Sequence, residues 1–162
     1  MSDAFESRES PQGGEDYLTV SLDDDLFAIR VGSVHEVLDP PPVTNVPNAP
    51  DFAPGLINVR GNILPLIDLR RRFDMHPVPD TEHTRVIVSR IEAGGDGFFV
   101  GIKADAVHEV LAVGRTAIEP LPENGTRWPT RFLAGVIRHE NRFVILLDLE
   151  RILGQSDTPS LH

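Results

Sequence analysis

Cysteine is missing altogether from this chain of 162 residues. Its absence excludes disulfides, thiolate metal sites and a cysteine nucleophile, and it fits a reducing compartment. Long apolar runs are missing too. None approaches the roughly eighteen residues needed to cross a bilayer, and the N-terminus has no basic segment leading into an apolar one, so a cytoplasmic protein without direct membrane insertion is expected. Positive charge is in deficit: the net charge is −10 and the pI about 4.9, which argues against a general nucleic-acid binder, because phosphate contacts need clustered cations. Lysine is nearly absent. Of 15 cations only Lys103 is lysine, leaving 15 − 1 = 14 arginines, a bias that suits bidentate pairing with carboxylates but that genome composition explains equally well. What is present is ordinary for a folded protein, with 40% hydrophobic and 25% charged residues. The length allows one domain with a real core, or two small subdomains that share one.

Residues 1–16 are polar and close on Pro11-Gln12-Gly13-Gly14-Glu15-Asp16, a composition that reads as a disordered tail. From Tyr17 an alternating run predicts a strand to Leu22, a turn over Asp23-Asp24-Asp25 and a return strand from Leu26 to Arg30. The acidic triplet lacks calcium-loop spacing and is read as a solvated hairpin tip. Val31 to Leu38 predicts one helical turn running into a strand, after which Asp39-Pro40-Pro41-Pro42 forces an extended connector. Leu56 to Arg60 and Ile63 to Ile67 read as a hairpin around a Gly61-Asn62 turn. Asp68 is placed to cap a short helix over Leu69 to Phe73. Gly55 to Phe73 carries four arginines against one aspartate, 4 − 1 = +3, a basic island in an acidic chain. Met75 to His83 is a polar, proline-containing linker, and residues 154–162 form a C-terminal tail.

Beyond that linker the pattern starts again. Arg85 to Ile91 and Phe98 to Lys103 form a second predicted hairpin around Gly94-Gly95-Asp96-Gly97. Val34-His35-Glu36-Val37-Leu38 recurs as Val107-His108-Glu109-Val110-Leu111, an offset of 108 − 35 = 73. Gly55, Ile57, Asp68 and Leu69 recur as Gly135, Ile137, Asp148 and Leu149, an offset of 148 − 68 = 80. Two copies of one β-rich unit are therefore expected, at about 17–74 and 84–153. The first turn, Gly61-Asn62, is matched with Asn141-Arg142, since Asn tolerates the left-handed conformation best after Gly. Shared residues serve the fold, whereas Asn58, Arg60 and Gly61 become Arg138, Glu140 and Asn141. The first hairpin is thus the better candidate for a specific contact.

Catalytic constellations are not apparent. There is no nucleophile elbow and no phosphate-cradling Gly-rich loop, and the two His-Glu pairs lack the second histidine of a zinc helix. Gly94-Gly95-Asp96-Gly97-Phe98 is similar to a diguanylate cyclase signature, but glycine stands where a metal-binding acid is needed. Asp68 and Asp148 suit helix caps rather than a carboxylate pair. An enzyme built on His76 or His83 with Asp74 or Glu82 is the competing class, and its residues lie on a linker without oriented partners. No cofactor and no metal are expected.

Three stretches carry a family resemblance. Phe27 to Leu38, Thr44-Asn45-Val46-Pro47 through Gly55, and Asn58-Val59-Arg60-Gly61-Asn62-Ile63-Leu64-Pro65-Leu66-Ile67-Asp68-Leu69-Arg70 resemble the CheW family of chemotaxis coupling proteins over roughly Asp16 to Leu153. The resemblance implies an all-β fold of two pseudo-symmetric five-stranded SH3-like barrels, interleaved in one CheW-like domain over 17–153. It implies a non-enzymatic adaptor, monomeric when free, that joins chemoreceptor tips to the regulatory domain of the CheA histidine kinase at membrane-associated receptor arrays. An adaptor of a non-flagellar chemosensory pathway, serving surface motility or gene control, is the alternative. By position, receptor contacts fall on Val34, Glu36, Asn58 and Arg60; kinase contact is expected on apolar strand edges around the first barrel, with Ile57, Gly61, Leu64 and Leu66 as candidates. One departure stands out: Glu123-Asn124-Gly125-Thr126 is polar where the family often offers an apolar side chain to the kinase. Neighbouring Trp128 either replaces it or caps the core.

Overall fold

The computed structural model describes residues 14–93, 95–121 and 128–153. The first thirteen residues of the expected N-terminal tail, the expected C-terminal tail and the Glu123–Thr126 loop lie outside them. Glu15 and Asp16, assigned above to the tail, open the first strand. The described residues form eleven strands in chain order: β1 (Glu15–Leu22), β2 (Asp25–Arg30), β3 (Val34–Leu38), β4 (Val43–Asn45), β5 (Gly55–Val59), β6 (Asn62–Asp68), β7 (Arg85–Ala93), β8 (Asp96–Ala104), β9 (Ala106–Val113), β10 (Leu133–His139) and β11 (Arg142–Leu147). A single 3-10 turn, Val31–Ser33, precedes β3, and two one-turn helices, α1 (Leu69–Arg72) and α2 (Leu149–Ile152), follow β6 and β11.

The chain is all-β, in two sheets ordered β10-β11-β2-β1-β9 and β3-β7-β8-β6-β5-β4. The second has six strands rather than the expected five, because Val43–Asn45, just past the proline run, adds a short edge strand on β5. The sheets do not coincide with the sequence repeats. Hairpin β1–β2 of the first repeat pairs with β9 and β11 of the second, while hairpin β7–β8 of the second pairs with β3 and β6 of the first. Each barrel is assembled from both repeats.

Alternation along the two exchanged hairpins explains why. Leu18, Val20, Leu22, Phe27 and Ile29 meet Ile87, Ile91, Val100 and Ile102 in one large core between the barrels. Opposite faces of the same strands fill the barrels: Tyr17 and Ala28 join Ile137, Val144 and Leu146 in one, and Val86 and Val88 join Ile57, Leu64 and Leu66 in the other. A strand buried on both faces must be apolar or satisfied throughout. Buried Thr19 accordingly donates to the Glu109 carbonyl at 2.7 Å. Trp128 is buried in the shared core edge-on to Phe27, their ring centres 5.6 Å apart, so it serves packing.

The caps form where the sequence places them. The Asp68 carboxylate accepts from the Arg70 N–H at 3.0 Å and the Arg71 N–H at 3.5 Å, and Asp148 accepts from the Arg151 N–H at 3.2 Å. Both helices are docked in the same way, with Asp68 N–H donating to the Phe52 carbonyl at 2.8 Å and Asp148 N–H to the Phe132 carbonyl at 2.9 Å.

Candidate functional site

The central turn lies one residue earlier than expected. Val59 pairs with Asn62, so the turn residues are Arg60 (φ 54°) and Gly61 (φ 88°), a two-residue hairpin turn that needs positive φ at both positions. Glu140 (φ 51°) and Asn141 (φ 63°) take the same places in the second copy. Glycine or asparagine therefore occupies the second turn position; the matching of Gly61 with Asn141 and Asn62 with Arg142 stands, and what is corrected is the turn pair, Arg60-Gly61 and Glu140-Asn141 rather than Gly61-Asn62 and Asn141-Arg142. In the first copy Asn58 secures the turn, because its Oδ1 accepts the Gly61 N–H at 2.9 Å and closes it from within.

The turn brings Arg60 across the open seam of its barrel to β3. Its Nη1 donates to both Glu36 carboxylate oxygens at 2.7 Å. Arg60 is 70% exposed and Glu36 only 19%. The pair stands at the mouth of a groove of about 560 Å³ with an apolar floor from Val59, Ile63, Pro65, Val88, Phe98 and Phe99. Ile63 and Phe98 are 59% and 37% exposed. His35 leans on the Phe99 ring, their centres 5.2 Å apart.

Of the four residues expected to meet a receptor, the structure joins Glu36 and Arg60 in this groove. Val34 is turned elsewhere: a bulge between Val34 and Glu36 in the β3–β7 pairing lets Val34 pack on the shared core. Asn58 is exposed but occupied in the turn. Of the kinase candidates, Ile57, Leu64 and Leu66 are 1%, 7% and 3% exposed and fill the barrel. On a period-two strand these three are the inward set, and Leu56, Ile63 and Pro65 are the outward one, although Leu64 also reaches the groove lining beside Val59. Gly61 is exposed at the turn. The aromatic wall was not foreseen, because Phe98 and Phe99 come from the second repeat's hairpin and nothing near Arg60 in sequence announces them.

The expected basic island does not form a surface patch. Arg71 pairs with Asp51 at 3.0 Å, and the Arg72 guanidinium lies 3.8 Å over the Phe52 ring. Arg70 is 8% exposed. It donates from Nε to Asp105 Oδ1 at 2.9 Å, from Nη2 to Asp105 Oδ2 at 2.9 Å and to Asp23, and from Nη1 to the His76 carbonyl at 2.7 Å. The Asp23 N–H also donates to Asp105 Oδ2 at 2.7 Å. Burial pushes the Asp105 carboxyl up, but hydrogen bonds from Arg70 and the Asp23 N–H, with the charges of Arg70 and Lys103, hold it below the usual carboxylate range. The bond to Asp105 raises Arg70 in turn. The hairpin tip is therefore tied to a buried cation rather than simply solvated. His76 and His83 are both exposed on the 74–83 connection.

Two barrels sharing a core, with a charged, apolar-floored groove open at one seam, make a protein-binding module. The chain belongs to the CheW family: the model of the CheW-like domain matches residues 16–157. Similar relatives include the probable chemotaxis protein CheW of Rhizobium etli, 30% identical over 147 residues that cover 91% of this chain and 92% of that one. The chemotaxis protein CheW of Klebsiella aerogenes is 34% identical over 144 residues, 89% of this chain and 84% of its own. A solved structure, the scaffolding protein TtCheW from Thermoanaerobacter tengcongensis, superposes with a TM-score of 0.79 at 30% identity, covering 91% of this chain and 98% of its own.

Proposed function

We propose that this protein is the adaptor that couples chemoreceptor cytoplasmic tips to the regulatory domain of the CheA histidine kinase, acting by binding rather than by catalysis. The observation that carries the reading is the Glu36–Arg60 pair over an aromatic-walled groove, on the stretch that carries the resemblance to the family's receptor contacts. A receptor tip is a helical hairpin. Its apolar side chains fit the Ile63, Phe98 and Phe99 floor, and its polar ones exchange with an ion pair that is open to water. The relatives' chemotaxis names favour this pathway over a non-flagellar one. No helix among the described residues is long and apolar enough to cross a membrane, so recruitment to a receptor array would run through protein contacts.

Kinase contact is assigned to Leu56, an outward residue of β5 that does not line the groove, and to the Gly61 turn. The test is a parallel titration of a receptor cytoplasmic fragment and of the kinase regulatory domain against the wild type and Arg60→Glu. Glutamate is tolerated in that conformation, since Glu140 adopts it in the second copy, and the variant should fold. Two like charges then face each other across the groove, and receptor affinity is expected to fall about tenfold or more with kinase affinity kept. Unchanged receptor affinity would sink the site assignment.

A further inference from the structure

The second barrel carries a groove at the place where the first carries its proposed receptor site, and its chemistry is inverted. Its volume is about 510 Å³ against about 560 Å³. Both lie at a barrel seam, between an edge strand that carries His-Glu and a two-residue turn. His108 and Glu109 of β9 replace His35 and Glu36, Glu140 replaces Arg60, His139 replaces Val59 and Arg142 replaces Asn62. The seam is again closed by a side-chain contact, here His139 Nε2 to Glu109 Oε2 at 3.1 Å, with a Glu140 carboxylate oxygen 3.6 Å from the same nitrogen. The aromatic wall is gone: Leu26 and the buried hydroxyls of Thr19 and Ser21 line the floor.

Charge at the rim is mostly acidic. Asp23, Asp24, Glu109 and Glu140 face Arg142, which is already engaged with the Asp24 carbonyl at 2.5 Å. Glu140 is 78% exposed and open to a newcomer, while Glu109 and Asp23, 61% and 54% exposed, keep a water-facing side although His139 and Arg70 each engage one of their oxygens. The rim is also fixed in place, because Asp23 is held by Arg70, itself 8% exposed and reaching over from α1 of the first repeat. A polar groove of fixed shape with an acidic rim is complementary to a cationic segment, not to whatever fits the apolar first groove.

We propose that this groove is a second docking site, which takes an arginine- or lysine-bearing segment of a protein partner while the first groove is occupied. The inference rests on reading the first groove as a docking site, and its test is separate from that reading. Two synthetic amphipathic peptides of equal length, one lysine-bearing and its glutamate-bearing twin, are titrated into the full isotope-labelled chain while backbone amide shifts are followed. The lysine peptide should give saturable shifts confined to residues 23–24, 108–109 and 139–142, and the glutamate peptide none there. Glu140→Arg should weaken the lysine peptide about tenfold. Arginine is compatible with that turn position, as Arg60 shows in the first copy; Glu109→Gln is the second variant and should weaken it less. Asp96→Arg, which changes net charge by the same amount on the β7–β8 hairpin, should leave binding within about twofold. Shifts spread over the whole surface, or equal weakening by Glu140→Arg and Asp96→Arg, would mean that the peptide senses only the net charge of −10 and would overturn the site. Arg60→Glu leaves these peptide curves unchanged, so a failure of the receptor assignment and a failure of this one read out separately.

Discussion

Arg60 and Asn58 stand two residues apart and play different parts. Arg60 projects to Glu36 across the seam, whereas Asn58 spends its Oδ1 on the Gly61 N–H and fixes the direction in which Arg60 projects. Asn58→Ala removes one hydrogen bond of an exposed turn. It should cost about 0.5–1.5 kcal/mol in urea unfolding and weaken receptor binding only through a looser Arg60. A loss of receptor affinity as large as that of Arg60→Glu, in a fully folded variant, would instead make Asn58 a direct contact. The repeat singled out this hairpin in the sequence, because Asn58, Arg60 and Gly61 diverge while Gly55, Ile57, Asp68 and Leu69 are shared. It was silent about Arg70. Three arginines in a row look alike until one of them meets Asp23 and Asp105, residues 47 and 35 positions away.

At the scale of elements, that Arg70 cluster joins helix α1, the tip of hairpin β1–β2 and the joint between β8 and β9. The second copy offers no equivalent: Glu150 stands in place of Arg70 and is exposed, and Gly32 stands in place of Asp105. The fold can thus be closed without such a cluster, and here it serves one side of the pseudo-twofold. Removing the cation strands two carboxylates, one of them partly buried. Arg70→Met should therefore destabilise by about 2–4 kcal/mol, toward the low end because Asp23 is half in water. The Asp105 carboxyl is held below its unfolded value, so its contribution is fully present above about pH 4 and is lost as pH falls further through the folded value. Asp105→Asn should be less stable than the wild type at pH 7, by about 1–2 kcal/mol, and the two should converge as pH falls toward 2 in urea titrations. A constant gap between them would mean that Asp105 acts through shape alone. Local elements were largely legible: caps, hairpins and the turn before β3 follow from residue types. The central turn slipped by one because glycine and asparagine permit positive φ at either position; the strand register, Val59 opposite Asn62 as His139 is opposite Arg142, sets it in both copies, and the Asn58 bond secures it in the first. β4 was missed because three exposed residues after a proline run carry no period.

For the molecule as a whole, the repeat was legible and the exchange was not. Offsets of 73 and 80 residues show two copies but say nothing of which hairpin pairs with which, since strand pairing leaves no mark in a periodic sequence. The exchange has a physical consequence. Phe27 on β2 and Phe73 just after α1 stack with ring centres 5.5 Å apart, both in the core that lies between the barrels. Neither repeat can bury its hairpin without the other. Residues 14–80 alone would expose Leu18, Val20, Phe27 and Ile29 on one face of their hairpin and lose the pairing of β6 with β8. That is several large side chains at about 1.5–3 kcal/mol each, more than a fragment of this size can spare. The fragment 14–80 should therefore be unfolded by near-ultraviolet circular dichroism and amide dispersion, and so should 81–153. Mixing the two should restore the dispersed spectrum of the intact chain in a one-to-one complex. Phe27→Ala in the intact chain should cost about 3–5 kcal/mol and shift both barrels together in a single urea transition. Two separate transitions, or a folded 14–80 fragment, would mean that the barrels stand alone and that the shared core merely glues them.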